Sequence, residues 1–188
     1  MSREKELVER ARNGDGQALA ELYNANADKV YRYIYLRVRD STRAEDITQQ
    51  VFLKVLNAIR SFKWTGAPFT AWLMKIAHNE IIDYFRKESR AKTVTADDRM
   101  VTHGPDPEGA DPTAMAETSI EIGRIMAALE NLPPAQKEVI SLRFTGGLTI
   151  AEVARVLGKS VGTVKALQFN GILSLRKQLL GERDAAEN

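Results

Sequence analysis

The chain has 188 residues, is 44% hydrophobic and carries a formal net charge of only +2. That length holds one ordinary domain or two small ones, each with a packed core. With no cysteine and two histidines, disulfides, thiolate metal sites and Cys–His zinc motifs are excluded, and neither a metal nor a cofactor is expected. No apolar run approaches the roughly 20 residues of a membrane span, and the start MSREKELVERARNGDG lacks the apolar centre of a signal peptide. A cytoplasmic protein with no membrane insertion is the simplest expectation.

The charge is unevenly distributed. Residues 1–90 carry 16 basic against 12 acidic groups, residues 91–117 carry 2 against 6, and residues 118–188 carry 9 against 7. Two basic segments, which suit a polyanion through counterion release, flank an acidic one. The acidic stretch 91–117 holds three of the six prolines and few large apolar groups. It buries too little surface to offset its ordering entropy. It is expected to be a flexible linker between domains at 1–90 and 118–188, with a short helix near its end or ordering on a partner as alternatives.

Before this linker the pattern is helical. Glu4–Asn13 reads as a helix stopped by Gly14-Asp15-Gly16. Gln17–Val38 follows, with Leu19, Leu22, Tyr23, Val30 and Ile34 inward. Ser41 or Thr42 can cap the next helix, to about Ala58, with Ala44, Ile47, Val51, Val55 and Leu56 as its core face. Arg60–Ala67 reads as a loop. Pro68 suits the first turn of a helix to about Arg90, with Phe69, Trp72, Leu73, Ile76, Ala77 and Ile81 inward. After the linker come helices at Ser119–Glu130 and Pro134–Phe144. No strand is needed, so the expected fold is all-α, with two small helical domains.

Leu148 to Lys177 has the layout of a helix-turn-helix. Thr149 and Glu152 have capping-box spacing. Ile150, Val153, Ala154 and Leu157 form one apolar face. Gly158 suits a left-handed helix end, and Ser160 a new N-cap. Val164 and Leu167 carry the second helix's buried side. Ser160, Gly162, Thr163, Lys165, Ala166 and Gln168 are the small, polar or basic groups that enter a major groove. An ordinary helical hairpin is the competing reading.

Three segments then carry a resemblance: AEDITQQVFLKV (44–55), FTAWLMKIAHNEIIDYFRK (69–87) and LPPAQKEVISLRFTGGLTIAEVARVLGKSVGTVKALQ (132–168). Together they resemble bacterial sigma factors of the extracytoplasmic-function type, the smallest promoter-specificity subunits of RNA polymerase. The resemblance implies core RNA polymerase and promoter DNA as partners, and an anti-sigma protein that holds the factor inactive. It implies that Asp46, Gln49, Gln50 and Lys54 dock on the polymerase clamp; their i, i+3, i+4, i+8 spacing is that of one helix face. Gln50 stands where the family commonly has glutamate.

The resemblance also assigns reading and opening of the −10 element to Phe62, Lys63, Trp64, Lys75, Asn79 and Arg86. A base leaving the stack needs an aromatic or polar pocket with cationic flanks. Trp72 reads as core, Trp64 is left open, and His78, where the family often has arginine, reads as structural. Arg155, Lys159, Ser160, Thr163, Lys165 and Gln168 are implied to read the −35 element. Arg155 and Lys159 are assigned to phosphate, and Thr163, Lys165 and Gln168 to base edges, with glutamine able to pair bidentately with adenine. Ala166, Phe169, Asn170 and Gly171 replace much of the family's arginine-rich run, and Phe169 reads as core before thymine contact. The linker is implied to thread the polymerase cleft.

Two other functional classes compete with this one. Catalysis finds no nucleophile motif, phosphate loop or pocketed carboxylate pair. A free-standing helix-turn-helix regulator, with residues 1–90 as a sensing or dimerising module, would bind duplex DNA without polymerase.

Overall fold

The computed structural model describes residues 3–64, 66–94 and 123–186. Among them the elements are α1 (Arg3–Arg12), α2 (Gly16–Val38), α3 (Ser41–Ala58), a 3-10 turn (Ile59–Ser61) and α4 (Phe69–Val94). Then follow α5 (123–130), α6 (Pro134–Ile140), a π-helical turn (Ser141–Thr145), α7 (Ile150–Leu157) and α8 (Val161–Ala186). No strand occurs among the described residues. Helix α4 continues to Val94, four residues into the expected linker. The rest of that span, and the proposed threading of the cleft, lie outside the described residues.

Acidic side chains start the early helices. Asp15 accepts from the amides of Gln17 and Ala18 at 2.9 and 3.1 Å, and also pairs with Arg10 at the end of α1. The cap of α3 is Asp40 rather than Ser41 or Thr42: its carboxylate accepts from Arg43 N at 2.9 Å. Asp40 has extended backbone whereas Ser41 is already helical, and an N-cap must be non-helical.

The core of the first half joins Val30, Tyr33 and Ile34 of α2 to Val51 and Val55 of α3 and Leu73, Met74, Ala77 and Ile81 of α4. Two expected core residues lie outside it. Tyr23 is 47% and Leu56 49% exposed. The buried stripe of α2 runs Leu22, Asn26, Val30, Tyr33, which leaves Tyr23 on its flank, resting on Phe52 with ring centroids 4.6 Å apart. Phe52 takes the core place beside Val51 and Val55.

In the second half the expected capping box is complete: Thr149 N donates to Glu152 Oε2 at 2.7 Å and Glu152 N to Thr149 Oγ1 at 3.3 Å. Gly158 ends α7 at φ +63°, where a side chain is disfavoured. Ser160 caps α8, accepting from Thr163 N at 3.0 Å. Leu157 is half-buried against the core as expected, and Val156, outside the apolar face read from the sequence, is buried too. Helix α7 packs on α4 as well as on α8, so it has two inward faces. Gly171, read as a lost backbone contact, is a packing position: a Cβ there would meet Ile140 Cγ1 at 3.0 Å. Glycine lets α8 cross α6 closely.

The two halves therefore meet along a seam. Buried residues of α2 and α4 and of α6 to α8 belong to one apolar cluster.

Candidate polymerase and nucleic-acid interface

On α3, Ile47, Val51 and Val55 are buried and turn Asp46, Gln49, Gln50 and Lys54 outward; all four are exposed. Asp46 and Gln50 also line a cleft with Arg43, Glu80, Asp83 and Lys87, so this surface continues onto α4. Lys54 pairs with Glu80, a carboxylate only 8% exposed. It thus neutralises a buried acid as well as contributing to the face.

The six residues assigned to the −10 element do not form one surface. Phe62 is 5% exposed and packs on Trp64, Phe69 and Trp72 at centroid distances of 5.0–5.9 Å. An apolar ring in a short loop is drawn into the nearest core, so Phe62 is a core residue and presents no ring to a flipped base. Trp64 is half-buried, and its indole nitrogen is enclosed with no hydrogen-bond partner among the described residues. Lys63 and Asn79 are exposed. Arg86 is exposed and bound to Asp83 at 2.8 Å. Lys75 is half-buried, and its ammonium donates to the carbonyl of Val156 at 2.6 Å, on α7 of the other half.

The helix-turn-helix presents Lys159, Ser160, Thr163 and Lys165 as exposed residues at the start of α8. The Ser160 and Thr163 hydroxyls lie 2.8 Å apart, so both belong to the cap as well as to the surface. Arg155 is exposed, yet its guanidinium donates to the carbonyl of Gly66 at 2.9 Å, in the loop before α4. Gln168 is half-buried and held by Arg143, a residue that no sequence signal singled out. Phe169 is 68% exposed, not core. Val164, Leu167 and Gly171 form the packed side of α8, and Phe169 falls outside it.

A buried polar cluster closes the seam. His78 of α4 places Nδ1 2.8 Å from Glu138 Oε1 of α6 and 3.3 Å from the Tyr33 hydroxyl of α2. Arg37 of α2 reaches the same carboxylate oxygen at 3.6 Å. Arg39 pairs with Glu130 nearby. His78 is therefore structural, as expected, but across two halves rather than within one. Burial pushes the Glu138 carboxyl up, but the bond from His78 and the charges of Arg37 and Lys159 outweigh it and hold the group below its usual range. Burial pushes the Tyr33 phenol up.

A depressed carboxylate contributes stability above its unfolded pKa and loses it as pH falls through the folded value. Glu138→Gln removes that titration. Its unfolding free energy should fall less steeply than wild type's as pH drops below about 4.5. Parallel acid limbs in denaturant titrations would show that Glu138 carries no such linkage.

Two helical units, one ending in a capped helix-turn-helix, define a DNA-binding transcription factor architecture. Sigma-70 region 2 matches residues 22–91, and Sigma-70, region 4 matches residues 128–177. The chain is 38% identical over 178 residues to the ECF RNA polymerase sigma factor BldN of Streptomyces coelicolor, across 95% of this chain and 66% of BldN. It is 31% identical to SigX of Bacillus subtilis, across 84% of this chain and 81% of SigX. It is 30% identical to SigD of Mycobacterium tuberculosis, across 96% of this chain and 85% of SigD. The chain belongs to the ECF sigma factors, transcription initiation factors that direct RNA polymerase to promoters. Solved structures share its fold. CnrH in complex with the cytosolic domain of CnrY matches with a TM-score of 0.71 at 22% identity, over 96% of this chain and 99% of that one. The sigma factor RpoE in complex with the anti-sigma factor NepR from Bartonella quintana matches with a TM-score of 0.69 at 22% identity, over 85% and 95%.

Proposed function

We propose that this chain binds core RNA polymerase through the α3 face and directs it to promoters whose −35 element is read by α8. The observation that carries the reading is the pairing, in one chain, of an exposed polar α3 face with a fully capped helix-turn-helix whose Lys159, Thr163 and Lys165 are free to enter a groove. Lys63, Trp64, Asn79 and Arg86 are proposed to hold the opened −10 strand. Phe62 supports them from within the core. The protein works in the cytoplasm and has no chemistry of its own. No described helix is long and apolar enough to cross a membrane. An anti-sigma protein is proposed as a partner, in keeping with the complex of RpoE with the anti-sigma factor NepR.

Lys75 and Arg155 are each bound to the opposite half, so their DNA contacts require the seam to open. This favours a factor that binds promoters on core polymerase over a free-standing operator binder. Run-off transcription on genomic promoter fragments tests it: discrete transcripts should appear only with core enzyme and this chain together. Tight duplex binding by the chain alone, with no transcripts, would favour the regulator instead.

Asp46 is exposed and makes no ion pair among the described residues, where α3's pairs are those of Arg43 and Lys54, so it is open to a basic clamp surface. Asp46→Arg is expected to weaken core binding at least about tenfold, since a like charge at an interface costs several kcal/mol. Helicity should not change. Unaltered co-elution and unaltered transcription would remove the docking assignment.

A further inference from the structure

Gln168 does not present a free amide. Its Oε1 accepts from Arg143 Nε at 2.9 Å. Arg143 is itself fixed at two further points. Its Nη1 donates to the carbonyl of Leu148, at the entrance to α7, and its guanidinium lies 5.9 Å from the Phe144 ring centroid. It stands on the π-helical turn Ser141–Thr145, an irregularity that sets its direction. One half-buried arginine thus ties the turn, the loop before α7 and the recognition helix together.

A glutamine amide offers an acceptor oxygen and a two-hydrogen donor nitrogen. Bidentate pairing with adenine uses both, the oxygen for the base's amino group and the nitrogen for N7. Here one of the oxygen's two lone pairs is held by a cationic donor, and an adenine amino group would have to bring a second donor up beside that positive charge. The amide nitrogen has no partner among the described residues. Guanine presents N7 and O6 to the major groove, both acceptors.

We propose that Arg143 is a positioning residue for −35 recognition: by holding Gln168 Oε1 it turns the amide oxygen toward itself and the amide N–H toward the base, so that Gln168 selects guanine over adenine. The proposal rests on the reading of Gln168 as a base contact, and corrects the adenine pairing that glutamine alone suggests.

The test is selection over randomised −35 elements by holoenzyme assembled from core polymerase and the full chain. The position read by Gln168 is the one whose preference disappears in Gln168→Ala, and wild type should prefer guanine there. Arg143→Met keeps an apolar stem and releases the amide oxygen. The adenine-to-guanine ratio at that position should rise at least about fivefold, the lower end of a bidentate contact's discrimination. In the Gln168→Ala background the same change should alter no preference. Gln168→Glu keeps the Arg143 bond but offers no donor, so guanine should be lost there too, without touching the arginine.

If Gln168→Ala leaves every preference intact, Gln168 reads no base and the proposal falls with that reading. If Gln168→Ala acts but Arg143→Met keeps guanine while lowering affinity for all sequences alike, Arg143 only braces the fold. Should Arg143→Met fail to fold, guanine retained by Gln168→Glu would still overturn the donor assignment.

Discussion

Phe62→Ala is expected to destabilise the protein by about 3–5 kcal/mol, the range for removing a fully packed phenylalanine. The ring meets Trp64, Phe69 and Trp72, and its loss leaves a cavity that three other aromatic rings cannot close without moving. Denaturant unfolding of the full chain measures the loss. Asn79→Ala makes the contrast. Asn79 is exposed, so its removal should leave stability within about 0.5 kcal/mol. It should nonetheless reduce permanganate-reactive thymines in the −10 element, with −35 footprints preserved. A Phe62→Ala protein of unchanged stability that failed only in melting would return the ring to the strand-holding surface.

Glu138→Ala should cost about 1.5–3 kcal/mol, because the carboxylate is bonded to the buried His78 at 2.8 Å and lies 3.6 Å from the largely buried guanidinium of Arg37. His78 would lose its bond to the carboxylate and Arg37 the opposite charge beside it. Both belong to the first half and Glu138 to the second, so the loss falls on the seam. The expected result is a larger radius of gyration in small-angle scattering, together with easier proteolysis between the halves. Duplex −35 DNA should also bind more tightly without polymerase, since Arg155 is released from Gly66. A stability loss with unchanged radius and unchanged DNA affinity would mean that apolar contacts alone hold the halves together.

The helices, the helix-turn-helix and the outward set on α3 were legible because each rests on local signals. Thr149, Glu152, Gly158 and Ser160 act within a turn of themselves, and the period of Ile47, Val51 and Val55 determines which neighbours face out. Tyr23 and Leu56 were misplaced, and Val156 missed, because a periodic stripe has edges, and which edge is covered depends on the neighbouring helix. Phe62 was misread for a similar reason: a loop's composition does not say which core lies beneath it. His78, Glu138 and Arg143 could not be assigned their partners at all. Their contacts join residues 60, 60 and 25 positions apart or cross between helices that no local pattern relates.

The closed seam has a consequence for length. Arg155 touches the loop before α4 at 2.9 Å, so in this arrangement the proposed readers of the −35 and −10 elements lie side by side. The elements they address are about 25 base pairs apart, which at about 3.4 Å per pair is roughly 85 Å of duplex. Between Val94 and the start of α5 stand residues 95–122, 28 in all. Such a segment reaches at most about 90–100 Å when drawn straight, at 3.3–3.6 Å per residue. The reach of the connector is therefore of the same order as the span of the promoter. Its length, added to the extent of the two halves themselves, bounds the spacing that one molecule can bridge.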